Sequence, residues 1–183
     1  MIKMEMGKSK VVLYVAGLLI CIAIWLALKA GELSTFHILN FLMLIIFSYV
    51  AMITDINTKR IPNMLVSIMI FVWMLLIMSV LFVDAKSGVR LLMDSAIGFL
   101  LGGGVFLSVY LISRKGLGGG DVKFMAAAGL YLGFAEVLPA ILYGTVLAAI
   151  VGLILILLKK IERKGKMPLA PFLFVGIMMT LLI

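Results

Sequence analysis

The chain is expected to fold as an all-α polytopic membrane protein, a bundle of about seven transmembrane helices with its N-terminus on the cytoplasmic side. Of its 183 residues, 65% are hydrophobic and the mean hydropathy is +1.31, whereas a soluble domain is about 45–50% apolar. Charged residues make up only 13% and gather in short clusters between long uncharged runs, so residues 1–183 read as a single membrane-embedded domain. Each run approaches the roughly 20 residues that cross a bilayer as a helix.

The first run extends from Val11 to Leu28, behind a basic start with Lys3, Lys8 and Lys10. That start resembles the charged region of a signal peptide. The run is long enough to span, however, and no convincing small-residue cleavage site follows, so it reads as a retained helix. A polar turn at Gly31-Glu32 leads to the second run, Ile38 to Thr54. The third, Asn63 to Val83, follows Pro62, a residue suited to a first helical position. Asp84-Ala85-Lys86-Ser87-Gly88 reads as a loop before the fourth, Leu91 to Ser113. The fifth covers about Val122 to Val137, the sixth Leu138 to Leu158 and the last Leu169 to Ile183. The fifth and last are short enough to be tilted, enclosed by protein or incompletely spanning. Gly98 with Gly102, Gly129 with Gly133, and Gly144 with Ala148 and Gly152 recur at four-residue spacing, which puts small residues on one helix face for close packing.

Charge sets the orientation. With the N-terminus cytoplasmic, that side collects Lys3, Lys8, Lys10, Lys59, Arg60, Arg114, Lys115, Lys123, Lys159, Lys160, Arg163, Lys164 and Lys166. Lys29, Lys86 and Arg90 are left for the other side, a split of thirteen against three among the 16 basic residues. This is a strong positive-inside bias, and it accounts for the net charge of +8 without a nucleic-acid partner. Cys21, the only cysteine, lies in an apolar run and can form neither an internal disulfide nor a thiolate metal site. His37, also alone, sits beside Ser34 and Thr35 in what reads as an exposed loop, and no metal site is expected.

Eight acidic residues remain to be placed. Glu5, Glu32, Asp84, Glu136 and Glu162 fall in tails, loops or segment ends within reach of water, and Asp94 falls in the first turn of the fourth segment, where a negative charge is favourable. Asp55 and Asp121 stand out. Asp55 ends the second segment, and Asp121 follows the run Gly116-Leu117-Gly118-Gly119-Gly120 and precedes Val122-Lys123. Both come out at the cytoplasmic edge, so they can meet. Two carboxyl groups held close in a partly dehydrated site cannot both ionise easily and share a proton near neutrality. The ionised member can then take a proton from water while the protonated member polarises a peptide carbonyl, with no metal needed. Taken one at a time, Asp55 could equally be an interfacial charge neutralised by Lys59, and Asp121 a helix cap.

The company of these residues resembles the type IV prepilin leader peptidases, membrane aspartic peptidases related to preflagellin peptidases and more distantly to presenilin-type proteases. Gly118-Gly119-Gly120-Asp121 matches the GxGD signature, with Lys123 continuing it. Asp55 with Arg60-Ile61-Pro62-Asn63 downstream is similar to the family's other aspartate segment, and Pro168-Leu169-Ala170-Pro171-Phe172 to the element before the last helix, with Leu169 and Ala170 in place of Phe and Gly. The resemblance covers roughly Phe41 to the C-terminus. It implies catalytic Asp55 and Asp121; Gly118, Gly119, Gly120, Lys123, Arg60, Pro62 and Asn63 are expected to bind substrate or shape the loops. The glycines would keep Asp121 mobile or let a substrate backbone approach.

The resemblance further implies a multi-pass protein of the cell (inner or plasma) membrane with its active site on the cytoplasmic side. Its substrate would be a prepilin or pseudopilin precursor, a basic leader followed by an apolar helix lying in the bilayer, and no cofactor is expected. The two CxxC pairs tied to N-methylation in many bacterial members are not found in this sequence, so the peptidase is expected and the methyltransferase is not. Two other classes fit the composition: a small ion or proton translocator, which should carry its carboxylates near mid-bilayer, and a non-catalytic subunit of a pilus or secretion machine, which would need neither aspartate.

Overall fold

The computed structural model describes residues 2–29, 34–113, 117–159 and 167–183, with side chains from residue 14 onwards except 28 and 29. The expectations that rest on Lys3, Glu5, Lys8, Lys10, Lys29, Gly31, Glu32, Arg114, Lys115, Gly116 and the basic cluster 160–166 lie outside these residues or side chains. All the elements among the described residues are helices, with no strand: α1 (Ile2–Lys29), α2 (Thr35–Thr58), α3 (Asn63–Val83), α4 (Ala85–Ile112), α5 (Gly119–Leu157) and α6 (Ala170–Leu182). Helices α2 to α5 are each long and apolar enough to cross a membrane, while α6 and the apolar part of α1 are shorter. Many large apolar side chains, Phe82 and Ile112 among them, lie on the outside of the bundle, a surface that belongs in lipid rather than water. The protein reads as a multi-pass membrane protein.

Helix α5 is broken. Gly133 takes φ 70° and ψ −170°, a conformation open to glycine but strained for residues with a Cβ. Gly102 of α4 shows what the break does, because a Cβ built on it would meet both the Met125 backbone and the Val137 side chain. In a straight helix those two residues would lie about 18 Å apart. The chain therefore doubles back at Gly133, and residues 119–132 and 134–157 are two legs of a hairpin that holds α4. These legs take the places of the fifth and sixth expected segments, with the corner at Gly133 rather than at Val137-Leu138. Gly98 packs against the backbone of Gly129 and Gly133, and Gly176 of α6 against Ala140 and Gly144 on the return leg. The small residues thus act by letting backbones touch, where packing comes from close approach rather than from water exclusion.

Four sequence expectations change. Asp84-Ala85-Lys86-Ser87-Gly88 is not a loop: Asp84 caps α4, its carboxylate accepting from the Lys86 N–H at 3.1 Å, and the helix starts at Ala85. Hydrogen bonds from Ser87 hold the Asp84 carboxyl below the usual carboxylate range. Asp94 is consequently in the third turn of α4, and its Oδ1 accepts from the Phe134 N–H at 3.1 Å, capping the second leg of α5 instead of its own helix. His37 lies within α2, half-buried against Phe36 and Phe41. Glu136 is half-buried just past the corner of α5 rather than at a wetted segment end.

Candidate active site

Asp55 sits in the last turn of α2 and is only 5% exposed. The helix ends where Lys59 adopts the left-handed φ 52°, its N–H donating to the Asp55 carbonyl at 2.8 Å. The chain turns through Arg60 and buried Ile61, with Thr58 Oγ1 donating to the Arg60 carbonyl at 3.1 Å, and α3 restarts behind Pro62 as N-cap. So short a corner leaves Asn63 beside the end of α2.

Asp121 arrives from the other side. Gly118 is the N-cap of α5, Gly119 and Gly120 are its first helical residues, and Asp121 falls in the first turn. Its carboxylate reaches back to the Gly118 backbone, as an acid at the third helical position does. The three glycines serve different ends. A Cβ on Gly118 would lie 2.6 Å from Asp121 Oδ2, and one on Gly120 would press on Ile61 at 3.2 Å, whereas one on Gly119 would meet nothing within 4 Å. Gly119→Ala is therefore expected to leave folding and activity near wild type and Gly118→Ala to displace the Asp121 carboxylate, which thermal unfolding and cleavage assays on both variants will separate.

The two aspartates line one cavity of 310 Å³, walled by Asp55, Lys59, Arg60, Ile61 and Asn63 from the α2–α3 corner and by Gly118, Gly119, Gly120 and Asp121 from the start of α5. The Asp55 charge acts on Asp121 across it. Lys123 and Pro62 stand outside the cavity wall. Lys123 Nζ donates to Asn63 Oδ1 at 3.1 Å, joining the start of α3 to the N-terminal part of α5, and Pro62 is exposed at the corner.

A further residue completes the setting of Asp55. Its Oδ2 accepts a buried hydrogen bond from the backbone N–H of Ala170 at 3.0 Å. Ala170 opens α6 after the N-cap Leu169, so its N–H has no partner within its own helix, and a carboxylate at a helix N-terminus is favourable. The sequence marked Pro168 to Phe172 as an element but could not reveal that it works through a main-chain amide, since amides carry no sequence signature. Asp55→Ala is expected to orphan this N–H at a cost of about 1–3 kcal/mol, whereas Asp55→Asn keeps an acceptor; unfolding of both variants in detergent micelles checks the difference.

A model of the type IV leader peptidase family matches residues 42–153, which contain both aspartates. The chain belongs to that family. Among its relatives, a prepilin leader peptidase/N-methyltransferase of Bacillus subtilis is 30% identical over 146 residues, 79% of this chain and 54% of that protein. One of the same name from Xanthomonas campestris is 29% identical over 123 residues, 67% of this chain and 42% of the relative. The chain thus spans about half the length of the curated relatives it matches. No solved structure matches it. The family match ends before Pro168, so the contact of Ala170 with Asp55 comes from the tertiary structure alone.

Proposed function

We propose that the chain is a membrane aspartic endopeptidase that removes the basic leader from type IV prepilin-like precursors, with Asp55 and Asp121 as the catalytic pair. The observation that carries this reading is the shared cavity, lined by an aspartate from each of two helices at one end of the bundle, in a chain of the leader peptidase family. One carboxylate takes a proton from a water whose oxygen attacks the scissile carbonyl carbon, while the other, protonated, donates to the carbonyl oxygen. Collapse of the tetrahedral intermediate breaks the C–N bond, with a proton delivered to the leaving nitrogen. Lys59 and Arg60 on the cavity wall, with Asn63 held by Lys123, are proposed to position substrate backbone.

Seven crossings with the N-terminus cytoplasmic place this cavity at the inner face of the cell membrane, in one membrane-embedded domain with no cofactor. The basic residues support that orientation: Lys59, Arg60 and Lys123 stand at the end of the bundle that holds the cavity, and Lys86 and Arg90 at the start of α4 at the other. A substrate anchored by its apolar helix would present the bond at the leader boundary at this depth. Co-expression with a candidate prepilin tests the reading: a gel shift that depends on this chain supports it, and an unprocessed precursor from every pilin-like candidate tried rejects it.

A further inference from the structure

The cavity of the two aspartates has an apolar neighbour. A cleft of 360 Å³ lies between Val105, Phe106 and Val109 of α4 and Ile141, Thr145 and Ala148 on the return leg of α5. Phe106, Ile141 and Ala148 are buried and form its floor, while Val105 and Val109 are exposed on its rim. Ile141 and Thr145 also line a second cleft, of 510 Å³, which extends to Leu138 and Pro139 near the corner at Gly133. Joined by these shared residues, the two clefts make one groove. From Ala148 to Leu138 it runs about 15 Å along the return leg, half of the roughly 30 Å hydrocarbon core of a bilayer.

No charged side chain occurs among the described lining residues. Apart from the Tyr143 hydroxyl, the polar side-chain group is Thr145 Oγ1, which already donates to the Ile141 carbonyl at 2.7 Å. An occupant must therefore be apolar. What distinguishes this groove from the rest of the lipid-facing surface is where it ends, because Leu117 and Leu169 belong to its lining. Leu117 precedes Gly118, which walls the cavity of the aspartates, and Leu169 precedes Ala170, whose N–H donates to Asp55 at 3.0 Å. One residue, about 3.8 Å of chain, separates groove from cavity along each segment. A lipid tail would match the apolar walls but has nothing to deliver to the aspartates, whereas an apolar helix joined to a basic leader suits both places. Building on the peptidase reading above, we propose that the groove docks the apolar helix of the precursor, holding about the first ten residues beyond the scissile bond along α4 and the return leg of α5. The groove then sets the register of cleavage, since the bond that reaches Asp55 and Asp121 is the one at the head of the docked helix.

Val109→Trp fills the groove from its rim. Leu100→Trp puts the same bulk nine residues away, on the opposite face of α4, where it lines neither cleft. Each full chain is co-expressed with a prepilin-type precursor that the parent cuts. Cleavage is expected to slow about tenfold with Val109→Trp and to stay within about twofold of the parent with Leu100→Trp. A second arm needs no cleavage and so covers a tryptophan that disturbs folding: Val109→Cys and Leu100→Cys, each with Cys21→Ala and Asp121→Asn, meet a precursor bearing one cysteine early in its apolar helix. A short bis-maleimide is expected to join the precursor to the Val109→Cys chain at least about fivefold more than to the Leu100→Cys chain. If the parent cuts no precursor, the peptidase reading fails and this proposal with it. If the parent cuts and both tryptophan variants cut alike, the groove alone is rejected. Cross-links equal from both faces of α4, or absent from both, would leave the groove to lipid and overturn the proposal.

Discussion

Asp121→Asn and Asp55→Asn are each expected to reduce leader cleavage by about ten-thousand-fold, since neither amide can accept or deliver the proton that the reaction moves. The effect should be chemical rather than structural. At position 55 an amide oxygen can still take the Ala170 N–H, and at position 121 the asparagine oxygen can still accept from the Gly118 backbone as the carboxylate does. Insertion and thermal unfolding should therefore stay near wild type while the precursor remains uncut. Asp84→Asn is the matched control, because it changes an exposed acid at the far end of the bundle and asparagine remains a good N-cap. Cleavage retained by either dyad variant would reject the shared-proton mechanism.

The second large effect is expected at Gly129. A Cβ there would run into the backbone of Gly98 and Phe99 on α4, and backbones cannot move aside as flexible side chains do. Gly129→Val should force α4 away from the first leg of α5 and destabilise the fold by about 3 kcal/mol. The same shift carries Asp121 with it, so activity should fall further than the loss of folded protein explains. Gly104, on α4, provides the contrast: a Cβ there meets nothing within 4 Å, and Gly104→Ala should stabilise the helix by about 0.5–1 kcal/mol. Unfolding of both variants in micelles decides whether backbone contact or helix propensity governs this glycine-rich interface.

Asp55 and Asp121 could be picked out in the sequence because few carboxylates occur in so apolar a chain, and because glycines on one side and Ile-Pro-Asn on the other marked their company. The remaining acids were harder. Asp94 was expected in the first turn of its own helix and Glu136 at a segment end within reach of water, because sequence spacing alone puts both near helix boundaries; in the structure both line the corner where α5 turns back. His37 looked like a loop residue because Ser34 and Thr35 precede it, yet these open α2 as a polar entry and His37 packs between Phe36 and Phe41. Gly133 was read as packing alone and the reversal was placed at Val137-Leu138, since glycine spacing is the same for a straight helix in contact with a neighbour and for one that folds over it.

Composition and periodicity settled the solvent of this protein and the helical form of its runs, because a backbone in lipid must satisfy its own hydrogen bonds. They also singled out the carboxylates worth watching. What only the folded chain decided was which groups meet: Ala170 with Asp55, Lys123 with Asn63, and Asp94 with Phe134, residues 115, 60 and 40 positions apart. Contacts across such separations depend on helix lengths, corner angles and main-chain amides, and those are properties of the assembled bundle rather than of any local stretch of sequence.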